Sequence, residues 1–251
     1  VLITVKAAPN PSETYGETVC VAGIRLDLDQ PGWVRLYPIN FRDLESTNRF
    51  RKYDIVELRA KPARQDLRVE SWRPDVTSIR RVDHLRSWKS RRLHIEPYIG
   101  SSMCAVLRAV REAPPARSLA AVRPEAVVGI NIEPHPGWTR EQQEKLDAYV
   151  GQFDLEGTDR APLEAPRFMG WYRYKCHEVS CKIHRQSILD WEFVAFQRRF
   201  GHYDDAALVE ALRGKFYNEL CAPGNDVAFY VGNQAKRQHT FSVLGVYYPK
   251  R

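Results

Sequence analysis

Val1-Leu2-Ile3-Thr4-Val5-Lys6 and, a short loop later, Thr18-Val19-Cys20-Val21-Ala22-Gly23-Ile24 decide the fold class. In the first, Ile3 and Val5 fall on one face and Thr4 and Lys6 on the other, the two-residue period of a half-buried strand. It reads as a first strand rather than as a leader. Trp33–Tyr37, Asp54–Ala60 and Val69–Trp72 repeat the theme, separated by Pro, Gly, Asn and Asp. Pro31-Gly32 suits a tight turn, and Pro9–Pro11 holds the first loop extended.

Five short strands at this spacing predict a small barrel or strongly curled sheet of OB-like or PUA-like kind. Beyond residue 85 the pattern changes. Ser87–Arg111 is rich in arginine, with helical spacing of Met103, Leu107 and Val110 in its later part, and Ala113-Pro114-Pro115-Ala116 breaks it. Ala126–Ile132 is a continuous apolar run, read as a buried strand. Thr139-x-x-Gln142 is a capping box for a helix to about Val150. Gln152–Pro166 reads as a linker. Phe168, Gly170, Tyr172 and Tyr174 then share one face of a strand, with Met169, Trp171, Arg173 and Lys175 on the other. Ser187 is the expected cap of a helix to Phe200 and Asp204 or Asp205 of another to Leu220, and Val227–Gly232 and Thr240–Tyr247 read as a closing pair of strands. The class is α+β, in three stretches: a β-rich barrel-like domain (1–85), an arginine-rich helical and linker region (86–166), and an α+β domain (167–251).

Charge narrows the partners. The chain carries 38 Lys and Arg against 31 Asp and Glu. Between Arg35 and His94 the count is 16 against 8, a local excess of +8, so the remainder is close to neutral. A basic block in an otherwise balanced chain points to a polyanion, and arginine suits bidentate phosphate or guanine contacts. In Arg68-Val69-Glu70-Ser71-Trp72-Arg73, an aromatic flanked by arginines could stack a base on a β-surface and hold its phosphate. Arg35, Tyr37 and Arg42 could extend that surface, and Lys236 and Arg237 in the last turn could also face phosphate. The plain alternatives are a solvated edge and an arginine-rich composition throughout. The partner so indicated is nucleic acid, DNA or RNA; a protein partner in a larger complex is the alternative.

Cys176-His177-Glu178-Val179-Ser180-Cys181-Lys182-Ile183-His184 gathers two of five cysteines and two of seven histidines. Thiolate and imidazole are zinc ligands, and Cys176, Cys181 and His184 are the consistent trio, because His177 adjoins Cys176 and faces away on an extended chain. The fourth position falls to Cys221, His202, His239 or water. Four protein ligands would make a structural site, and three plus water an open Lewis acid. Without metal the loop is a hairpin turn with two free thiols. In the open case Asp190 or Glu192 could activate water for a metal-dependent hydrolase acting on nucleic acid or a nucleotide; the ordinary reading of that pair is two acids opposing a helix dipole. No Walker loop, nucleophile elbow, HExxH or paired CxxC is present. The odd cysteine count without a regular framework fits a reducing compartment, the cytoplasm.

Overall fold

The computed structural model describes residues 1–27, 32–41, 44–112, 116–151, 162–235 and 237–251. The expected Arg42 and Lys236 contacts, the 113–115 break and most of the Gln152–Pro166 linker therefore lie outside the described residues. The N-terminal strands are β1 (Leu2–Lys6), β2 (Asn10–Ser12), β3 (Gly16–Ile24), β4 (Trp33–Ile39), β5 (Asp54–Glu57), β6 (Ala60–Pro62), β7 (Ser71–Pro74) and β8 (Arg80–His84). They form one curled sheet in the order β6-β7-β4-β3-β1-β5-β8, with β2 paired to β3. It is a half-barrel: β6 and β8 stay unpaired to each other, so the curl is kept without closure. One of its faces packs Ile3, Val19, Val21, Val34, Leu36, Ile39 and Val56 into an apolar cluster. These are the apolar positions of strands whose alternation is legible in the sequence.

The chain continues through α1 (Trp88–Ile95), β9 (Ile99–Ser101), α2 (Met103–Glu112), β10 (Leu119–Val122), β11 (Ala126–Pro134), α3 (Arg140–Val150), β12 (Phe168–Lys175), β13 (His184–Ser187), α4 (Trp191–Arg199), α5 (Asp205–Arg213), β14 (Ala228–Gln234) and β15 (Arg237–Tyr247). Two small sheets result, β15-β14-β10-β9 and β11-β12-β13. The architecture is mixed α+β. Thr139 and Gln142 form both bonds of the capping box on α3, and Asp204 caps α5. Tyr172 and Tyr174 are fully buried on the inner face of β12, as their alternation requires.

Two expectations are corrected. Ala126–Ile132 is an edge strand with only Ile130 buried, since β11 pairs with β12 on one side alone. Ser187 does not cap α4. It ends β13, and its Oγ meets Ser242 Oγ at 2.8 Å. The next residues stay extended because three neighbours claim their backbone. Ile188 N–H donates to Gly170, Leu189 N–H to Val243, and Ala8 N–H donates to the Leu189 carbonyl. This short crossing joins both small sheets to the N-terminal half-barrel, and the helix starts only afterwards, capped by Asp190.

The halves are also tied by buried polar groups. Arg35 donates to the Ser118 carbonyl and hydroxyl at 3.2 Å and to Cys20 Sγ at 3.1 Å. Glu70 accepts from both the Ser118 N–H and its hydroxyl at 2.9 Å. Arg68, paired with Asp66, donates to the Asn233 carbonyl at 2.7 Å. Around these ties Leu2, Ala22, Ile24 and Trp33 share one apolar cluster with Leu119, Ala121, Tyr230 and Tyr247. Non-directional burial supplies the attraction, and the ion-assisted bonds fix the register.

Glu70→Ala would leave the Ser118 N–H and hydroxyl, both buried, without the carboxylate that accepts from them. Urea unfolding is expected to lose about 2–3 kcal/mol, the cost of leaving buried donors without their charged acceptor. A loss below about 1 kcal/mol, typical of one ordinary hydrogen bond, would contradict the tie.

Asp190 provides a pH test. Burial, reinforced by Glu192, pushes its carboxyl up to about 7 against the pull of Lys52. Gly245 leaves the space: a Cβ there would lie 3.3 Å from Lys52 Nζ and 3.6 Å from Asp190 Oδ2. A raised folded value means that the protonated form favours folding; this contribution is complete below the unfolded value of about 3.9 and lost as pH rises through about 7. Asp190→Asn keeps a competent cap without the titration. Between about pH 4 and 7 the wild type should lose stability relative to this variant in urea midpoints. Parallel profiles would contradict the enclosed carboxyl.

Candidate metal centre

The Cys176–His184 loop leaves β12 and returns as β13. Cys181 N–H donates to the Glu178 carbonyl at 2.9 Å, closing a turn that points Cys176 and Cys181 inward while His177 faces solvent. His184 opens β13 opposite Tyr174, its ring 5.3 Å from the tyrosine ring. Cys176, Cys181 and His184 are thus brought together as their spacing implies.

The fourth donor is Cys104, at the start of α2. The metal-ligating atoms of Cys104, Cys176, Cys181 and His184 all lie within 4.8 Å of one another, and this group could hold a metal ion. Cys104 Sγ is 3.3 Å and Cys181 Sγ 3.4 Å from His184 Nε2. A tetrahedral zinc with ordinary Zn–S and Zn–N lengths sets such edges at about 3.6 Å. None of the expected fourth ligands joins the group. Cys221 lies against the Phe216 carbonyl, His202 packs on Tyr203, and His239 is exposed on β15. Cys104 and His184 are 80 residues apart in the chain. No spacing rule links them, and nothing local in the sequence around Cys104 marks it as a ligand.

Several contacts hold α2 over the loop. Ser102 accepts from the Ala105 N–H at 2.9 Å and donates its hydroxyl to Glu178, while Arg108 pairs with the other Glu178 oxygen at 2.6 Å. Beneath, Tyr174 donates to Gln186, whose amide reaches Met103 Sδ at 3.2 Å. In this setting burial pushes the Cys104 thiol up to about 12, raises Cys176, and lowers His184 against the pull of Glu178. A thiolate is therefore poorly supported by the protein alone, and a bound cation would supply the missing positive charge. Four protein donors fill a tetrahedron, which makes such a site a staple rather than a Lewis acid with an open position.

The other sequence-derived residues are scattered. Arg35 is 3% exposed and Arg68 is tied to Asp66 and Asn233, so neither presents its guanidinium to a ligand. Trp72 is half-buried under the Arg25 guanidinium, 4.9 Å from its ring. Tyr37 is exposed, but its hydroxyl meets Thr18 at 3.2 Å. Arg73 and Arg237 are exposed on β7 and β15. A single face from Arg35, Tyr37, Arg68 and Trp72 is thus not formed: Glu70 lies in a turn and the strand starts only at Ser71. Asp190 is the α4 cap, accepting from Glu192 N–H at 2.9 Å, and Glu192 is exposed in the first turn. Both lie beyond the far end of β13 from His184, and neither belongs to the metal-binding group.

No helix among the described residues is long and apolar enough to cross a membrane. No curated protein matches the chain. Residues 1–97 match a family described as Domain of unknown function (DUF8758), and residues 99–251, which hold all four metal-ligating side chains, match Domain of unknown function (DUF8757). The chain belongs to the DUF8757 family, with the DUF8758 match preceding it.

Proposed function

We propose that this protein binds nucleic acid through a cationic rim of its N-terminal half-barrel, and that one structural Zn²⁺ staples its C-terminal half. The carrying observation is a like-charged pair. Lys61 and Arg73 stand directly opposite each other on β6 and β7, both exposed, and Arg59 lines the same groove. Among the described residues Asp75 is the one carboxylate lining that groove, and it is already paired with Arg59 at 2.8 Å. Cations placed opposite each other across a ladder repel, and a phosphate between them turns the penalty into attraction. Arg64 continues the hairpin, and Arg81, Arg86 and Lys89 follow on β8 and into α1; among the described residues these too are exposed without an acidic partner.

Zinc is favoured among metals by the three-sulfur, one-nitrogen donor set. A closed donor set, remote from Asp190 and Glu192, supports the binding-protein reading over a metal-dependent hydrolase. Reduced cysteines fit a cytoplasmic location.

Binding of a single-stranded oligonucleotide, followed by fluorescence anisotropy across a salt series, tests the reading. Wild-type affinity should fall linearly on a log–log plot. Lys61→Ala/Arg73→Ala should weaken all sequences alike and reduce the slope by about 1–2, one phosphate contact for each lost cation. No salt-dependent binding by the wild type, or an unchanged slope in the variant, would overturn it.

A further inference from the structure

A cavity of about 210 Å³, separate from the metal centre and from the β6–β7 groove, lies where the first loop, α3 and the β11–β13 sheet meet. His135, Trp138, Leu163, Phe168, Trp171 and Ile188 line it. Sites for drug-sized ligands run to about 300–1,000 Å³, so this one has room for one ring system. Its wall is held in place: the Trp138 indole donates to the Leu163 carbonyl at 2.8 Å, and the His135 ring meets Trp138 edge-on at 5.5 Å. Behind it Gly170 is packed so closely that a Cβ would come within 2.9 Å of Ile188 and Phe193.

Polar side chains complete the lining: Asn10, Gln142, Glu164 and Arg198. Among the described residues, those of Asn10, Glu164 and Arg198 make no hydrogen bond or ion pair, so the opposite charges of Glu164 and Arg198 share a cavity without meeting. Gln142 commits its carbonyl oxygen to the α3 capping box, and among the described residues its amide N–H groups have no acceptor. The Gly137 N–H donates to His135 Nδ1 at 3.0 Å, and burial lowers the imidazole's affinity for a second proton. A neutral ring bonded in this way carries its proton on Nε2, a further donor.

We propose that this cavity binds a single unpaired nucleobase. Aromatic walls suit its faces, and free donors beside free acceptors suit an edge that presents both. An apolar side chain of comparable size would use the walls and leave the polar groups without partners. The inference rests on the nucleic-acid reading above and deepens it, with the rim holding the strand's phosphates and the cavity holding one base.

Equilibrium dialysis of the full chain against adenosine, guanosine, cytidine, uridine and thymidine tests this without any phosphate. At least one should bind saturably, and Asn10→Ala/Glu164→Ala/Arg198→Ala, three changes at exposed positions outside the core, should weaken it at least tenfold, as expected for lost hydrogen bonds including charge-assisted ones. Absence of binding by all five, or equal binding by the folded variant, would overturn the proposal. The oligonucleotide salt series separates the two claims. Strand binding without nucleoside binding refutes the cavity assignment alone. Nucleoside binding without strand binding supports the cavity and refutes the rim.

Discussion

Three sulfurs and one imidazole nitrogen crowded within 4.8 Å are the constraint that the start of α2 and the β12–β13 hairpin share. Such donors gain little from one another. Desolvation holds the Cys104 and Cys176 thiols against ionisation, and the His184 imidazole is desolvated beside them. A divalent cation at their centre would convert this unfavourable cluster into a cross-link between the start of α2 and the β12–β13 hairpin. Structural zinc can supply on the order of 10 kcal/mol, comparable with the whole stability of a domain. The Ser102–Glu178–Arg108 contacts then act as alignment, holding the helix start over the loop so that Cys104 reaches its position.

The same economy of charge organises the other half in the opposite way. Arg35 and Arg68 belong to the basic block, but they are spent inside, tying the half-barrel to Ser118 and Asn233. What remains outside is a smaller set of cations on the β6–β7 hairpin and along β8. A surplus of arginine in a sequence therefore counts both structural ties and surface charge. Only burial separates the two.

The strand pattern was readable because alternation is local: Ile3 and Val5, or Tyr172 and Tyr174, need only their own strand to declare a face. The α3 cap was readable for the same reason. The errors fall where distant partners decide. Ser187 has the chemistry of a cap, but Val243 and Gly170 claim the backbone that follows it and carry the extended chain on to Asp190. The apolar run at Ala126–Ile132 looks like a central strand, yet it has one neighbour in its sheet. Three of the four donors of the metal centre were legible in Cys176, Cys181 and His184. Cys104 was not, because it sits on a helix whose approach to the loop is set by tertiary packing. The cavity beside Trp138 had no sequence signal at all; its lining comes from segments spread between Ala8 and Arg198.

The most direct test of the central claim is the zinc content of the purified protein by elemental analysis, beside a Cys104→Ser variant handled identically. One zinc per chain in the wild type, with loss or marked weakening of retention in the variant, is the predicted result. Protein folded with no bound metal, or a variant that keeps its zinc as tightly as the wild type, would contradict a four-donor staple that includes Cys104.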